Sequence, residues 1–126
     1  MLKLLIIGLG GFIGAISRYT LSGAVHRIMG ESFPYGTLVV NVLGCLLLGG
    51  LIYFIEDRAI IGPNLRLFLT IGILGAFTTF STFGYETFQL MRDGQLGLTL
   101  ANLGANVFLG VIAVWLGRAI LKALNI

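Results

Sequence analysis

The sequence predicts an all-α membrane protein with four transmembrane helices in a single domain covering residues 1–126. Three observations carry that prediction. The chain is 57% hydrophobic and only 10% charged, with a mean hydropathy of +1.01, values outside the range of soluble globular domains. Its 126 residues leave room for about four helical spans of roughly 20 residues each. The apolar runs are separated only by short connections that hold helix breakers: Gly30 to Pro34, Glu56 to Asn64 and Arg92 to Gln95. One subunit this small hardly encloses a pore, so self-assembly is expected.

The first span runs from about Leu4 to Val25. Lys3 before an apolar run suggests a signal peptide, but apolar and small residues continue to Tyr19 and Leu21, so it reads as an uncleaved span. Gly10-x-x-x-Gly14 and Gly11-x-x-x-Ala15 place small residues where another helix can approach closely. A dinucleotide-binding loop is excluded, because no strand-helix unit surrounds the glycines and Ile13 stands where the third glycine is needed. Arg18, near the end of this span, either snorkels to the interface or stands at the mouth of an aqueous vestibule and draws anions in. His26 beside Arg27 marks the interface.

The second span runs from about Tyr35 to Ile55 and carries one intramembrane amide, Asn41. Cys45, the only cysteine, lies in this apolar run and reads as a small buried hydrophobe.

The third span, about Leu65 to Met91, holds the most informative stretch of the chain. Gly75-Ala-Phe-Thr-Thr-Phe-Ser-Thr-Phe-Gly-Tyr-Glu86 puts hydroxyls and phenylalanines where a bilayer favours leucine. Such groups persist at that depth only when buried in protein or lining a polar path. Gly72 and Gly75 followed by Thr78 and Thr79 make a poor continuous helix, and a span this long has residues to spare for a break that exposes half-helix ends and carbonyls. The competing reading is a kinked, continuous helix with its threonines bonded back onto their own backbone. Beyond that point Phe77, Phe80 and Phe83 recur at i, i+3 and i+6, beside the rows Ser81/Tyr85 and Thr78/Thr82/Glu86/Gln89. Ring edges turned to a pore can hold a dehydrated anion. Glu86, the only acid well inside a span, is expected to bond a hydroxyl such as that of Thr37 or Tyr85.

The fourth span, about Leu96 to Leu124, carries Asn102 and Asn106 on one face with Gly110. Neutral amide donors such as these and Asn41 suit an anion, and equally suit interhelical hydrogen bonds of on the order of 1 kcal/mol.

Charge and motif content exclude other classes. The net charge of +3 arises from eight basic and five acidic side chains spread between the apolar runs, so there is no nucleic-acid footprint. No nucleophile stands at a suggestive spacing from a base, so the chain is not read as an enzyme. Lys3, Arg58, Arg66, Arg118 and Lys122 fall on one side of the expected topology and Arg27, Arg92 and Arg18 on the other. So weak a bias is compatible with one preferred orientation or with insertion both ways and an antiparallel pair.

Across all four spans the chain resembles the Fluc (CrcB) family of fluoride channels. The matching pieces are Gly10-Gly-Phe-Ile-Gly-Ala15 with Arg18-Tyr19, then Pro34-x-Gly-Thr-Leu-x-x-Asn41-x-x-Gly44, and most specifically Gly75-x-Phe-Thr-Thr-Phe-Ser-Thr-Phe83 with Glu86. The resemblance implies a prokaryotic inner-membrane protein whose partners are fluoride, the lipid bilayer and a second copy of itself, in an antiparallel, dual-topology homodimer with two pores and a broken third helix. It implies that Asn41, Phe80 and Phe83 line the fluoride path, that Ser81 and Thr82 continue a polar track, and that Arg18 gives the vestibule its positive potential. Thr37 and Asn106 are placed beside that path, and Na+ is expected as a structural ion on the backbone carbonyls of Gly75 and Thr78. Span 4 departs from members that have tyrosine and serine there. The runner-up is a small multidrug-type, proton-coupled exporter, but the carboxylate such a protein needs in span 1 has no counterpart, since Leu4 to Val25 holds no Asp or Glu.

Overall fold

The computed structural model describes residues 1–125. Four helical segments are long and apolar enough to cross a membrane: Leu2–Met29, Tyr35–Asp57, Pro63–Arg92 and Leu96–Leu124. The first three outrun the expected spans by a few residues, because hydropathy marks the hydrocarbon portion of a helix whereas the helix itself continues through interfacial residues. The first ends at Gly30, where φ of 83° suits glycine and the N–H closes onto the His26 carbonyl at 2.9 Å. The second ends in a wide turn, Tyr53–Asp57, closed by the Arg58 N–H on the Tyr53 carbonyl. Pro63 opens the third at its first turn, where its missing N–H costs no hydrogen bond.

Within the third span two residues leave helical angles, Thr78 (φ −83°, ψ 158°) and Thr79 (φ −148°, ψ 116°), between Gly75–Phe77 and the helix Phe80–Arg92. Thr79 caps the second of these helices, its Oγ1 accepting the Thr82 N–H at 3.2 Å.

Two helix pairs organise the bundle, and glycine sets the separation in both. The first span lies on the third through Gly10, whose added Cβ would stand 2.6 Å from the Phe68 carbonyl oxygen and 2.9 Å from Gly72 Cα, and through Gly14, which faces the Ile73 carbonyl. The expected close approach at Gly10 and Gly14 is therefore present. A Cβ added at Gly11 meets nothing within 4 Å among the described residues. The second span lies on the fourth through Gly49 against Val114 and Gly117 against Leu46. Arg118 closes one end of that pair with a forked contact to Asp57, at 2.9 and 2.7 Å.

Among the described residues the buried apolar side chains are few, Val40, Leu74, Phe77 and Phe83 among them, while Leu9, Phe12, Tyr19, Phe80, Phe108 and Trp115 are exposed. That inversion is what a bilayer permits, since lipid tails solvate apolar side chains as well as a core does.

Candidate functional site

The site is built where the second and fourth spans meet the non-helical residues of the third. Asn41 spans that junction: its Oδ1 accepts the Thr79 N–H at 2.8 Å and its Nδ2 donates to the Thr79 carbonyl at 3.1 Å, so the side-chain amide pairs with Thr79 as a neighbouring strand would. The second N–H of the same Nδ2 goes to Asn106 Oδ1 at 3.0 Å. Asn41 therefore has both amide protons engaged within the chain.

An open cleft of about 360 Å³ is lined by Asn41, Gly44, Gly75, Thr78, Thr79, Phe80, Phe83 and Asn106. The Phe80 and Phe83 rings lie 5.5 Å apart, tilted by 59°, with Phe83 buried and Phe80 82% exposed, so one ring anchors the helix and the other faces out of the subunit. Phe77, expected on the same stripe, is separated from them by extended Thr78 and Thr79 and packs beside Gly44 instead. The stripe assumed an unbroken helical period through residues that are not helical.

A second cleft, about 330 Å³, is lined by Arg18, Ser22, His26, Thr37, Thr79 and Thr82 among others. Thr79 thus borders both. A third, about 430 Å³, continues from His26 to Glu31, Glu86, Gln89 and Asp93 at the bundle end. Thr37 Oγ1 donates to Glu86 Oε1 at 2.8 Å, one of the two hydroxyl partners expected for this acid, while Tyr85 is exposed. Glu86 Oε2 and His26 Nδ1 are buried atoms with no hydrogen-bond partner among the described residues. Ser81 is exposed and lines neither of the first two clefts, its Oγ lying 3.4 Å from Thr79 Oγ1.

The geometry at Thr78 and Thr79 also takes the helical donors from the Gly75 and Thr78 carbonyls, among others at the break. In a continuous helix the Thr79 N–H would close onto the Gly75 carbonyl and the Thr82 N–H onto that of Thr78. Here the first donates to Asn41 Oδ1 and the second to Thr79 Oγ1. Thr79 and Asn102, weighed in the sequence as break and amide donor but given no assigned role on the ion path, and Thr87, not singled out there, prove to be hydrogen-bonded into the site. For Asn102 the signal was its spacing of four from Asn106; Thr87 carried none beyond being polar in a span.

The sequence profile of the family described as "CrcB-like protein, Camphor Resistance (CrcB)" matches residues 5–118. The chain is 45% identical over 124 residues to a protein of Geotalea uraniireducens named fluoride-specific ion channel FluC, covering 98% of this chain and 100% of the relative. It is 44% identical to the protein of that name in Clostridium perfringens, covering 98% and 97%. It is 46% identical over 126 residues to fluoride-specific ion channel FluC 1 of Methanosarcina acetivorans, covering 100% of this chain and 94% of the relative.

Proposed function

The chain belongs to the CrcB-like family, and from that premise we propose that it is a fluoride-selective ion channel, a multi-pass protein of a prokaryotic inner membrane that lets the anion leave passively down its gradient. The observation that carries the reading is the convergence of Asn41, Phe80 and Phe83 on one cleft beside the hydroxyl-bearing turn of the third span, in a chain whose relatives are named fluoride-specific channels.

Fluoride is small and tightly hydrated, so a pore for it must replace water with donors in a passage too narrow for chloride. The positive edges of the Phe80 and Phe83 rings and the Asn41 amide supply that replacement. For Asn41 to reach the ion, one of its N–H groups exchanges its bond to Thr79 or Asn106 for one to fluoride. Thr82 and Thr37 continue the polar path through the second cleft toward Glu86, with Ser81 at its margin. Arg18, on the lining of that cleft, raises the local potential for anions. No reaction is catalysed.

On this reading the working unit is an antiparallel homodimer with two pores. The exposure of Phe80, a ring expected on the ion path, together with the near balance of Lys and Arg between the two sides, supports it. A single cysteine placed in the 58–62 connection is then labelled about equally from each side of the membrane; labelling from one side alone would eliminate dual topology.

The carbonyls of Gly75 and Thr78 fit the structural Na+ that the resemblance implies: two neutral oxygens of one chain are released from helical bonding at one place, and their counterparts in the second copy complete an all-oxygen set. Bound there, the cation would offset the partial negative charge of the interrupted helix. A heavier monovalent cation is expected to give an anomalous peak on the twofold axis, away from any carboxylate. A peak at Glu86 or Asp57 instead would contradict the assignment.

A further inference from the structure

We propose that Asn102 is a positioning residue of the pore: it joins the two halves of a hydrogen-bond chain that runs from the backbone of Thr79 to the backbone of Phe83, and through it holds the Asn41 amide and the Phe80–Phe83 turn in one arrangement. The proposal rests on the fluoride-channel reading.

The direction of the chain follows from its fixed ends. A backbone N–H can only donate and a carbonyl can only accept, so the double contact of Asn41 with Thr79 settles which end of the Asn41 amide is oxygen and which nitrogen. Its nitrogen must then meet an acceptor on Asn106, and Oδ1 lies there at 3.0 Å. Asn106 is left with its own nitrogen turned to Asn102, where it donates to the backbone carbonyl and to Oδ1, each at 3.0 Å. Because Asn102 Oδ1 is an acceptor, its nitrogen must donate, and it does so to Thr87 Oγ1 at 2.9 Å. Thr87 then has one proton to place, and places it on the Phe83 carbonyl at 2.7 Å. No bond in the series can be reversed without leaving two donors or two acceptors face to face.

Asn102 is the buried hinge of this series, with 0% of its surface exposed. It does not itself line the Phe80–Phe83 cleft but bonds Asn106, which does, so its effect on the ion passes through Asn106 and Asn41. Asn106 in turn has its oxygen on Asn41 and its nitrogen on Asn102, which suits it to orienting Asn41 and not to holding an anion. The two ends of the series bracket Phe80 and Phe83, so loosening its centre frees both the amide and the ring-bearing turn. In a low-dielectric setting a fully satisfied network of this kind fixes a single geometry, and one missing member leaves several groups unpaired.

The test uses full-length protein in proteoliposomes, with fluoride and chloride efflux measured separately, and hydrogen exchange at the Thr79 backbone amide. Asn102→Leu keeps the branched heavy-atom shape and removes both side-chain bonds. It is expected to lower the fluoride-to-chloride rate ratio by at least about tenfold and to speed Thr79 exchange by at least about tenfold. In an Asn106→Leu background, where the series is already cut, adding Asn102→Leu should change the ratio by less than about twofold. A wild-type ratio and wild-type Thr79 exchange in Asn102→Leu, or independent multiplication of the two effects, would overturn the proposal. Should Asn102→Leu fail to fold, Thr87→Val, nearly isosteric at the far end of the series, is expected to lower the ratio at least about threefold; no change there is equally fatal. Wild-type protein that passes no fluoride would refute the channel reading instead, and Thr79 exchange still decides this one.

Discussion

Asn41→Asp is expected to lower fluoride efflux from proteoliposomes by at least about tenfold, roughly 1.4 kcal/mol in the limiting barrier. The substitution keeps size but turns a donor into an acceptor at the most crowded polar point of the chain. A carboxylate oxygen in place of Nδ2 would face the Thr79 carbonyl and Asn106 Oδ1, both acceptors, and would add negative charge to an anion path. Phe83→Ile and Phe80→Ile are expected to act in the same direction by removing the polarised ring edge while keeping bulk. Phe12→Ile, on the exposed side of the first span, should stay within about threefold of wild type, a surface substitution of small energetic effect. Efflux is read together with elution volume, so that loss of transport is not confused with loss of assembly. Wild-type flux in well-folded Asn41→Asp and Phe80→Ile would mean that these residues only pack the bundle.

A larger effect on the fold itself is expected at the glycines that set helix separation. In Gly14→Val and Gly117→Val the new side chain begins inside the space of the Ile73 and Leu46 carbonyls. Neither backbone can yield without moving its whole helix. Overpacking of a well-packed contact typically costs about 1–3 kcal/mol, and a clash with backbone lies at or above the upper end. Both variants should therefore yield little monodisperse protein in detergent. Gly97→Ala meets nothing within 4 Å and should purify as wild type does. Normal recovery of Gly14→Val would show that the first and third spans are not held together at this contact.

Much of this architecture was legible because a bilayer imposes simple demands. Four apolar runs between short breakers mark four helices, and the spacing of Gly10 and Gly14 marks a helix contact that the structure places on Gly72 and Ile73. Thr37 could be named as a partner of Glu86 because an intramembrane acid needs a donor and few hydroxyls lie within reach. What was not legible is whatever depends on pairing across distance. Nothing local to Asn41 says that both its amide protons are engaged by Thr79 and Asn106, the latter 65 residues away. The phenylalanine stripe was extended to Phe77 because helical periodicity was carried through Thr78 and Thr79, whose extended backbone is stabilised by the side chain of Asn41 on another span.

The most direct test of the central claim is efflux from proteoliposomes reconstituted with the wild-type chain and loaded in turn with fluoride and with chloride, followed by ion-selective electrodes after a potassium shunt is opened. The channel account predicts rapid release of fluoride, without any imposed proton gradient, and retention of chloride at the level of protein-free vesicles. Retention of fluoride, or release of both anions at similar rates, would contradict it.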